Sequence, residues 1–283
     1  MIELKKLQIA QIILLEKLNK ICIENNIKYS LGYGSMLGVI RHKGFIPWDN
    51  DIDVLMKRKE YDKFIKIFKE DEDLFLQNYL TDKSFGLHLS RLMLKDTLYE
   101  NPYNKFFKRK KNIYIDIFPI DEVRSNLFLL KIKFILIKIL TQAKEIKLGR
   151  KKSIKRINTI LNIFIEILFY FTDIDTIDKK IEELCIDSKE KKIKYVGCYF
   201  GDSVAKEFFK KDIFNDFIFK EFEENKYPIL KEYDKYLQQN YGNYMKFPPT
   251  EIRNQIFKKL EKSILKFGKW EKEIEKRLDN IND

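Results

Sequence analysis

Three aspartates in alternate positions, within an apolar segment, constrain the fold of this chain more than any other feature. Asp49, Asp51 and Asp53 are two residues apart, and the apolar residues around them predict a strand over Ile52–Met56. Successive side chains of a strand point to opposite faces, so the three carboxylates are expected to converge on one side. Like charges this close are costly unless a cation neutralises them, and carboxylate oxygens favour Mg²⁺ or Mn²⁺. The segment therefore predicts a buried strand with an acidic, cation-binding face.

Strand-like and helix-like segments alternate over the first 120 residues. The predicted helices are Leu4–Glu24, Met36–Ile40 and Glu60–Glu70, and the predicted strands are Ile27–Leu31, Ile52–Met56, Phe75–Tyr79, Leu87–Leu94 and Ile113–Phe118. From Tyr195 onward the pattern is mixed and rich in loops, and a final helix is predicted from about Thr250. This alternation predicts an α/β or α+β architecture.

The charge balance indicates an anionic partner. The 283 residues carry a formal net charge of +12, which suits nucleic acid, phosphorylated small molecules or an acidic membrane face. No recognition motif for nucleic acid is apparent, so that partner is the least favoured. Three scattered cysteines and two histidines are too few for a disulfide scaffold, a cysteine zinc site or a His-rich metal site. The N-terminal segment is charged from residue 3 and lacks a signal-peptide core, which predicts a reducing, cytoplasmic location.

The middle of the chain contains two apolar stretches, Leu127–Leu140 and Ile157–Phe171, joined by the basic run Lys147–Arg156. Neither stretch reaches the roughly 20 residues that a membrane-spanning helix needs. A polar stripe at helical spacing runs along the second stretch and consists of Asn158, Asn162 and Glu166. Two interpretations stay open: a helical hairpin packed on the core, or an interfacial element on an anionic bilayer at the inner face of the membrane.

A Gly-Ser pair upstream of the aspartates predicts a site for phosphate. Gly34 and Ser35 stand at a predicted helix start, where backbone N–H groups bind anions, and Ser35 precedes Asp51 by 16 residues. Together with the aspartates, this pair favours metal-assisted phosphoryl chemistry. An EF-hand loop is a weak alternative because Val54 occupies the position that needs glycine. A nucleotide-sugar glycosyltransferase would need a longer nucleotide-binding segment before its acidic motif, and a solvated loop would not interleave apolar residues with the acids.

Three segments of the sequence resemble the LicD-type phosphotransferases, within the nucleotidyltransferase-fold superfamily. Residues Gly34–Asp53 resemble the first motif of that family, Tyr114–Asp121 the second acidic motif and Tyr241–Pro249 the C-terminal motif. Asn50 replaces the usual aspartate of the first motif, at a position expected to point away from the metal. The region from Leu127 to Cys185 carries no motif of the family.

The resemblance implies a fold and an activity. The fold would be α+β, a nucleotidyltransferase-type mixed sheet with flanking helices and an inserted helical region. Its parts would be a catalytic core at 1–125, the helical insertion at 126–190 and a C-terminal part at 191–283 that completes the active site. The activity would be transfer of phosphocholine from CDP-choline to a sugar hydroxyl of a cell-surface glycan such as lipopolysaccharide, capsule or teichoic acid. Ribitol or glycerol phosphate transfer, and nucleotidyl transfer from an NTP, stay open as alternatives.

Site residues can be assigned on this basis. Asp51 and Asp53 are the expected ligands of Mg²⁺ (or Mn²⁺), which would bind the donor diphosphate. Asp116 lies in a strand-like segment between Ile115 and Ile117, so it is the expected third ligand and a candidate general base. The residues expected to bind the donor are Gly34, Ser35, Arg41, His42, Lys43, Asp49 and Lys95.

Overall fold

A curled mixed sheet forms the centre of the protein. The computed structural model describes residues 2–101, 110–124, 126–149, 156–186, 192–253 and 261–282. The strands of this sheet are β1 (Ser30–Leu31), β2 (Asp53–Lys57), β3 (Leu74–Gln77), β4 (Ser90–Leu94), β6 (Ile113–Val123), β7 (Tyr195–Gly197) and β8 (Phe208–Lys210). Two small antiparallel sheets consist of β5 (Leu98–Glu100) with β11 (Ile264–Lys266) and β9 (Phe217–Phe222) with β10 (Asn225–Leu230).

Helices cover this sheet and complete an α+β architecture, as the sequence predicts. They are α1 (Ile2–Glu24), α2 (Tyr33–His42), α3 (Arg58–Ile67), α4 (Leu127–Lys147), α5 (Arg156–Leu168), α6 (Ile174–Cys185), α7 (Val204–Glu207), α8 (Tyr233–Tyr241) and α9 (Glu271–Asn282). The predicted final helix is displaced: residues 250–253 are helical, 254–260 lie outside the described residues, and α9 begins only at Glu271.

The strand order β1-β2-β6-β4-β3 decides which residues meet at the site. Strands β2 and β6 are parallel, and their register places Asp53 opposite Asp116. Strand β4 is antiparallel to β6 and places Arg91 opposite the same Asp116. Three charged side chains from distant parts of the sequence are therefore neighbours across adjacent strands.

Strand β6 is longer than predicted because it has a second partner. The sequence predicts its end at Phe118, but β7 pairs with residues 121–123 and extends it to Val123. Asp121, two residues after Pro119, is a buried strand residue. It is tolerated there because the Arg58 guanidinium binds both of its carboxylate oxygens, at 2.7 and 3.1 Å.

One large hydrophobic core unites the two ends of the chain. The apolar face of α1, with Leu7, Leu14 and Leu18, packs in the same cluster as Tyr236 and Trp270 from the C-terminal part. The C-terminal residues therefore complete the packing around the sheet. The division at 125/126 and 190/191 stays a prediction.

Helices α4, α5 and α6 surround a second, smaller core that includes Leu130, Ile137, Ile165 and Ile177. No helix in the described part of the chain is both long enough and apolar enough to cross a bilayer.

Buried ion pairs join these helices to the sheet. His88, next to β4, lies between Tyr79 and Phe200 and bonds Asp178 of α6 at 2.8 Å. The fully buried Lys144 of α4 reaches the same carboxylate at 2.6 Å. His88 is therefore a buried residue that contacts both aromatic rings and a carboxylate.

Candidate active site

The acidic segment is a loop that leads into a strand. Strand β2 begins at Asp53, so the prediction that strand alternation aligns all three aspartates is wrong for Asp49 and Asp51. The ladder to β6 extends by one further bond, from the Asp116 amide to the Ile52 carbonyl at 2.9 Å. Before this point, the Asp49 and Asn50 carbonyls accept hydrogen bonds from side chains of α1. The carboxyl groups still face one pocket, because this loop turns them toward it.

Two buried glutamines of α1 hold that loop from behind. Gln8 Nε2 donates to the Asp49 carbonyl at 2.8 Å, and Gln11 Nε2 donates to the Asn50 carbonyl at 2.9 Å and the Tyr114 carbonyl at 3.2 Å. Their Oε1 atoms are buried and accept no hydrogen bond from the described residues. A buried oxygen without a hydrogen bond lowers the stability of the fold, so packing alone does not account for these glutamines. Their hydrogen bonds to the acidic loop do account for them.

Helix α2 fixes the other side of the loop. The Ser35 hydroxyl accepts a hydrogen bond from the Asp53 amide at 2.9 Å. A β-carbon on Gly34 would lie 2.7 Å from a carboxylate oxygen of Asp49, so only glycine allows this close approach. Gly34 and Ser35 therefore contact the acidic loop, at the start of a helix that borders the pocket. Whether their backbone amides bind phosphate stays a prediction.

Asp116 is held by an arginine. Arg91 Nε donates to Asp116 Oδ1 at 2.8 Å, and both side chains are almost fully buried. The guanidinium also stacks on the Tyr114 ring, 3.8 Å from its centroid. The pair places one positive charge beside a group of four carboxyl groups.

The electrostatics of the acidic loop reflect crowding of like charges. Burial, together with the charge of Asp51, raises the pKa of Asp49 well above its usual value. Burial and then the charge of Asp116 raise the pKa of Asp51, and burial with the charges of Asp51, Asp116 and Asp49 raises that of Asp53 well above its usual value. The direct interaction with the Asp51 side chain also contributes to the raised pKa of Asp49.

This donor set fits a hard divalent cation in its chemistry. The set consists of carboxylate oxygens. Their crowding and burial raise the pKa values of these groups, and the positive charge of a bound cation would offset that repulsion. Within the described residues, no group of three or more His, Cys, Asp or Glu side chains is arranged so that it could hold a metal ion.

The pocket above the acids has a volume of about 900 Å³ and a mixed aromatic and cationic wall. Arg41 supports this wall: its guanidinium bonds the Tyr244 carbonyl at 2.9 Å and lies 4.8 Å from the centre of the Phe247 ring. Trp48 packs beside Phe247, with ring centroids 6.1 Å apart. Lys246 lines the same wall. An acidic floor and a basic, aromatic wall together suit a ligand that carries phosphates and a ring or a cationic group.

Some residues assigned from the sequence lie elsewhere. His42 contacts the wall from behind, with its ring against Trp48 and Phe247. The Lys43 ammonium is exposed and pairs with Glu221 at 3.3 Å. Neither residue is among those that line the pocket.

Lys95 is also away from the acids. It follows the far end of β4, and its ammonium pairs with Glu70 at 2.5 Å. The structure does not bring Lys95 together with Asp51, Asp53 and Asp116.

Sequence reasoning missed the two glutamines of α1. Gln8 and Gln11 are three residues apart, so they lie on one face of the helix. The apolar residues on or beside that face are Leu4, Leu7, Leu14 and Leu18. Two amides on a helix face that is otherwise buried are the signal that could have identified them.

Comparisons with known proteins identify the family of this chain. Residues 26–134 match the family described as LicD/FKTN/FKRP, nucleotidyltransferase domain. The lipopolysaccharide cholinephosphotransferase LicD of Haemophilus influenzae is 31% identical over 256 residues, which cover 88% of this chain and 93% of that protein. An uncharacterized protein of Rickettsia typhi is 33% identical over 72 residues, which cover 25% of this chain and 23% of that protein. An uncharacterized protein of Rickettsia prowazekii is 33% identical over 61 residues, which cover 22% of this chain and 23% of that protein.

The resemblance that the motifs suggested is thereby confirmed. The matched family is one of transferases, and the similarity to its Haemophilus member extends over nearly the whole of both chains. The chain belongs to the LicD family.

Proposed function

We propose that the protein transfers phosphocholine from CDP-choline to a sugar hydroxyl of a cell-surface glycan, with lipopolysaccharide as the first candidate. The observation that carries this proposal is the pocket that joins an acidic floor, Asp49, Asp51 and Asp53, to a wall containing Arg41 and Lys246. The similarity to a lipopolysaccharide cholinephosphotransferase supports both the transferred group and the acceptor. We further propose that the mixed sheet is a nucleotidyltransferase-type fold and that the enzyme works on the cytoplasmic side of the membrane.

The acidic floor would hold Mg²⁺ or Mn²⁺ through Asp51 and Asp53, with Asp116 completing the donor set. When bound, the cation would neutralise charge on the diphosphate and make CMP a better leaving group. Arg91 holds Asp116 by the hydrogen bond from its Nε atom, opposite it across β4 and β6. The role of Asp116 as the base for the acceptor hydroxyl stays a prediction.

The wall of the pocket would bind the donor. Arg41 and Lys246 offer positive charge to its two phosphates, while Trp48 and Phe247 offer ring faces to cytosine or to the quaternary ammonium of choline. In the reaction, the acceptor oxygen forms a bond to the phosphorus that bears choline, and the bond from that phosphorus to CMP breaks. The hydroxyl proton leaves to a base, and CMP departs with the bonding electrons.

A donor panel tests this proposal. The purified protein is incubated with lipopolysaccharide and, in separate reactions, CDP-choline, CDP-ethanolamine, CDP-ribitol, CDP-glycerol or each NTP, with Mg²⁺ or EDTA. We expect CMP release from CDP-choline that requires both the acceptor and Mg²⁺. Pyrophosphate release from an NTP would replace the proposal by nucleotidyl transfer, and release of CMP only from another CDP-alcohol would reassign the transferred group. Absence of release from every donor would overturn the proposal.

A further inference from the structure

We propose that the hairpin surface, the outward side of residues 127–147 and 156–171, rests on an anionic lipid bilayer. More than half of the large apolar side chains exposed in the described residues belong to this hairpin. Contiguous exposed apolar patches of this kind mark surfaces that another phase or molecule covers. The proposal goes beyond the transfer reaction and does not depend on it.

Helix α4 has two apolar faces rather than one. Leu130 and Ile137 are fully buried in the second core. Phe128, Ile132 and Ile135 follow one another at helical spacing on the opposite side and are exposed, Phe128 to 70%. A helix that packs on a protein core through one face needs no apolar residues on the other. The outward face therefore requires an explanation outside the core.

Helix α5 turns apolar side chains outward and buries a polar one. Within the polar stripe predicted on this helix, Asn162 is only 7% exposed, whereas Glu166 is exposed. Ile160, Phe164 and Ile167 point outward instead. This arrangement reverses the pattern of a helix that is solvated on its free side, and it continues to Phe171, which is 96% exposed.

Charge selects the bilayer among possible partners. Residues 127–171 contain ten lysines and arginines, of which Lys144 is buried, and only two acidic residues, Glu145 and Glu166. On α4 the exposed Lys131 and Lys138 border the outward apolar face. Apolar side chains flanked by basic ones are the pattern of interfacial helices, because the long basic side chains reach the anionic headgroups while the apolar ones enter the acyl region. A second copy would bring the same excess of positive charge against itself.

The hairpin surface would thus hold the protein on the membrane without crossing it. An interfacial helix lies in the plane of the bilayer with its apolar face at the boundary between headgroups and acyl chains. Exposed aromatic residues on both helices, Phe128 on α4 and Phe164 on α5, supply apolar area for this contact. The two helices would have to enter together, since they share the second core.

Vesicle flotation tests the proposal with the complete protein. The protein is mixed with vesicles of phosphatidylcholine alone or of phosphatidylcholine with phosphatidylglycerol, at low and high salt. We expect binding to the anionic vesicles, weakened by salt. In the variant with Phe128→Ser and Phe164→Ser, binding should fall by about tenfold or more, because two aromatic anchors are lost. Phe219→Ser, at a side chain that is 67% exposed on β9, is the matched control and should bind as the wild type does.

Each alternative outcome overturns the proposal. The proposal fails when the wild-type protein does not bind anionic vesicles, or when the double variant binds them equally well. It also fails when the wild-type protein is a dimer, the double variant is a monomer and neither binds vesicles. Circular dichroism melting checks that the variants fold, and CMP release from the same preparations shows separately whether the transferase proposal holds.

Discussion

The acidic pocket and the hairpin surface depart from the rule of apolar inside and polar outside in opposite directions. In the pocket, carboxyl groups are drawn into a site whose surroundings include the fully buried Ile52 and Ile115. In the hairpin, apolar side chains such as Phe164 are exposed while Asn162 and Lys144 are buried. Each departure costs free energy in the isolated chain, so each indicates a missing partner: a cation and phosphates for the pocket, a lipid surface for the hairpin.

The largest effect is expected for Asp53→Asn. Loss of this ligand removes several kcal/mol of charge stabilisation, so kcat/KM for CMP release should fall by about a thousandfold. The melting temperature should stay the same or rise, because repulsion with Asp51 and Asp116 is relieved. Asp279→Asn, an exposed acid on α9, is the control and should leave both quantities unchanged. Near-normal turnover by Asp53→Asn would exclude Asp53 as a metal ligand and would leave the acidic loop without a catalytic role.

The pair of Asp116 and Arg91 tests whether the pocket is built for function or for stability. Asp116→Asn should lower the transfer rate by about a hundredfold and the free energy of unfolding by about 3 kcal/mol, since Arg91 loses its buried partner. Replacing both by leucine should recover much of the stability, measured by urea unfolding, without recovering turnover. An active double variant would show that the pair is only structural.

The ion pairs of Asp178 test how the helical region is attached to the sheet. Burial opposes ionisation, but hydrogen bonds from His88 and Lys144 outweigh it and lower the pKa of Asp178. This stabilisation is present above the ordinary pKa of about 3.9 and is lost as pH falls below it. Asp178→Asn should lower the free energy of unfolding by about 2 kcal/mol at pH 7. The variant should also lose less stability than the wild type when the pH falls into this acid range.

Hydrogen exchange of the same variant locates the change. Amides of α4 and α6 should exchange faster, while the amides of β2 and CMP release at pH 7 stay as in the wild type. Loss of turnover parallel to the faster exchange would mean that the two regions are coupled rather than separate.

The smallest effect is expected for Gln11→Met. The substitution keeps the shape of the side chain but removes the bonds to the Asn50 and Tyr114 carbonyls. Because the loop would be less well positioned, kcat should fall by about tenfold with little change in KM, and the free energy of unfolding should change by about 1 kcal/mol or less. Gln238→Met, on the exposed side of α8, is the control. Equal kcat for the two variants would restrict Gln11 to a packing role.

The sequence by itself determined the class of architecture, the family and the identity of the acidic residues. Short-range patterns carry this information: alternation over Ile52–Met56, apolar spacing in α1, and the run Gly34–Asp53. Such patterns depend on neighbours a few residues away, so they can be read without the fold. The same reasoning applied strand alternation to Asp49 and Asp51, because it could not see that glutamines of α1 bond the carbonyls of this segment.

Tertiary structure alone decided which distant groups meet and which faces are covered. The parallel register of β2 and β6 sets Asp53 opposite Asp116, and β4 brings Arg91 to the same point. Lys95 is left with Glu70 for the same reason, since it lies beyond the far end of β4. Helix periodicity identified the two faces of α5, but only packing against α4 and α6 determined that the face with Asn162 turns inward. Periodicity specifies faces, whereas long-range contacts specify what each face meets.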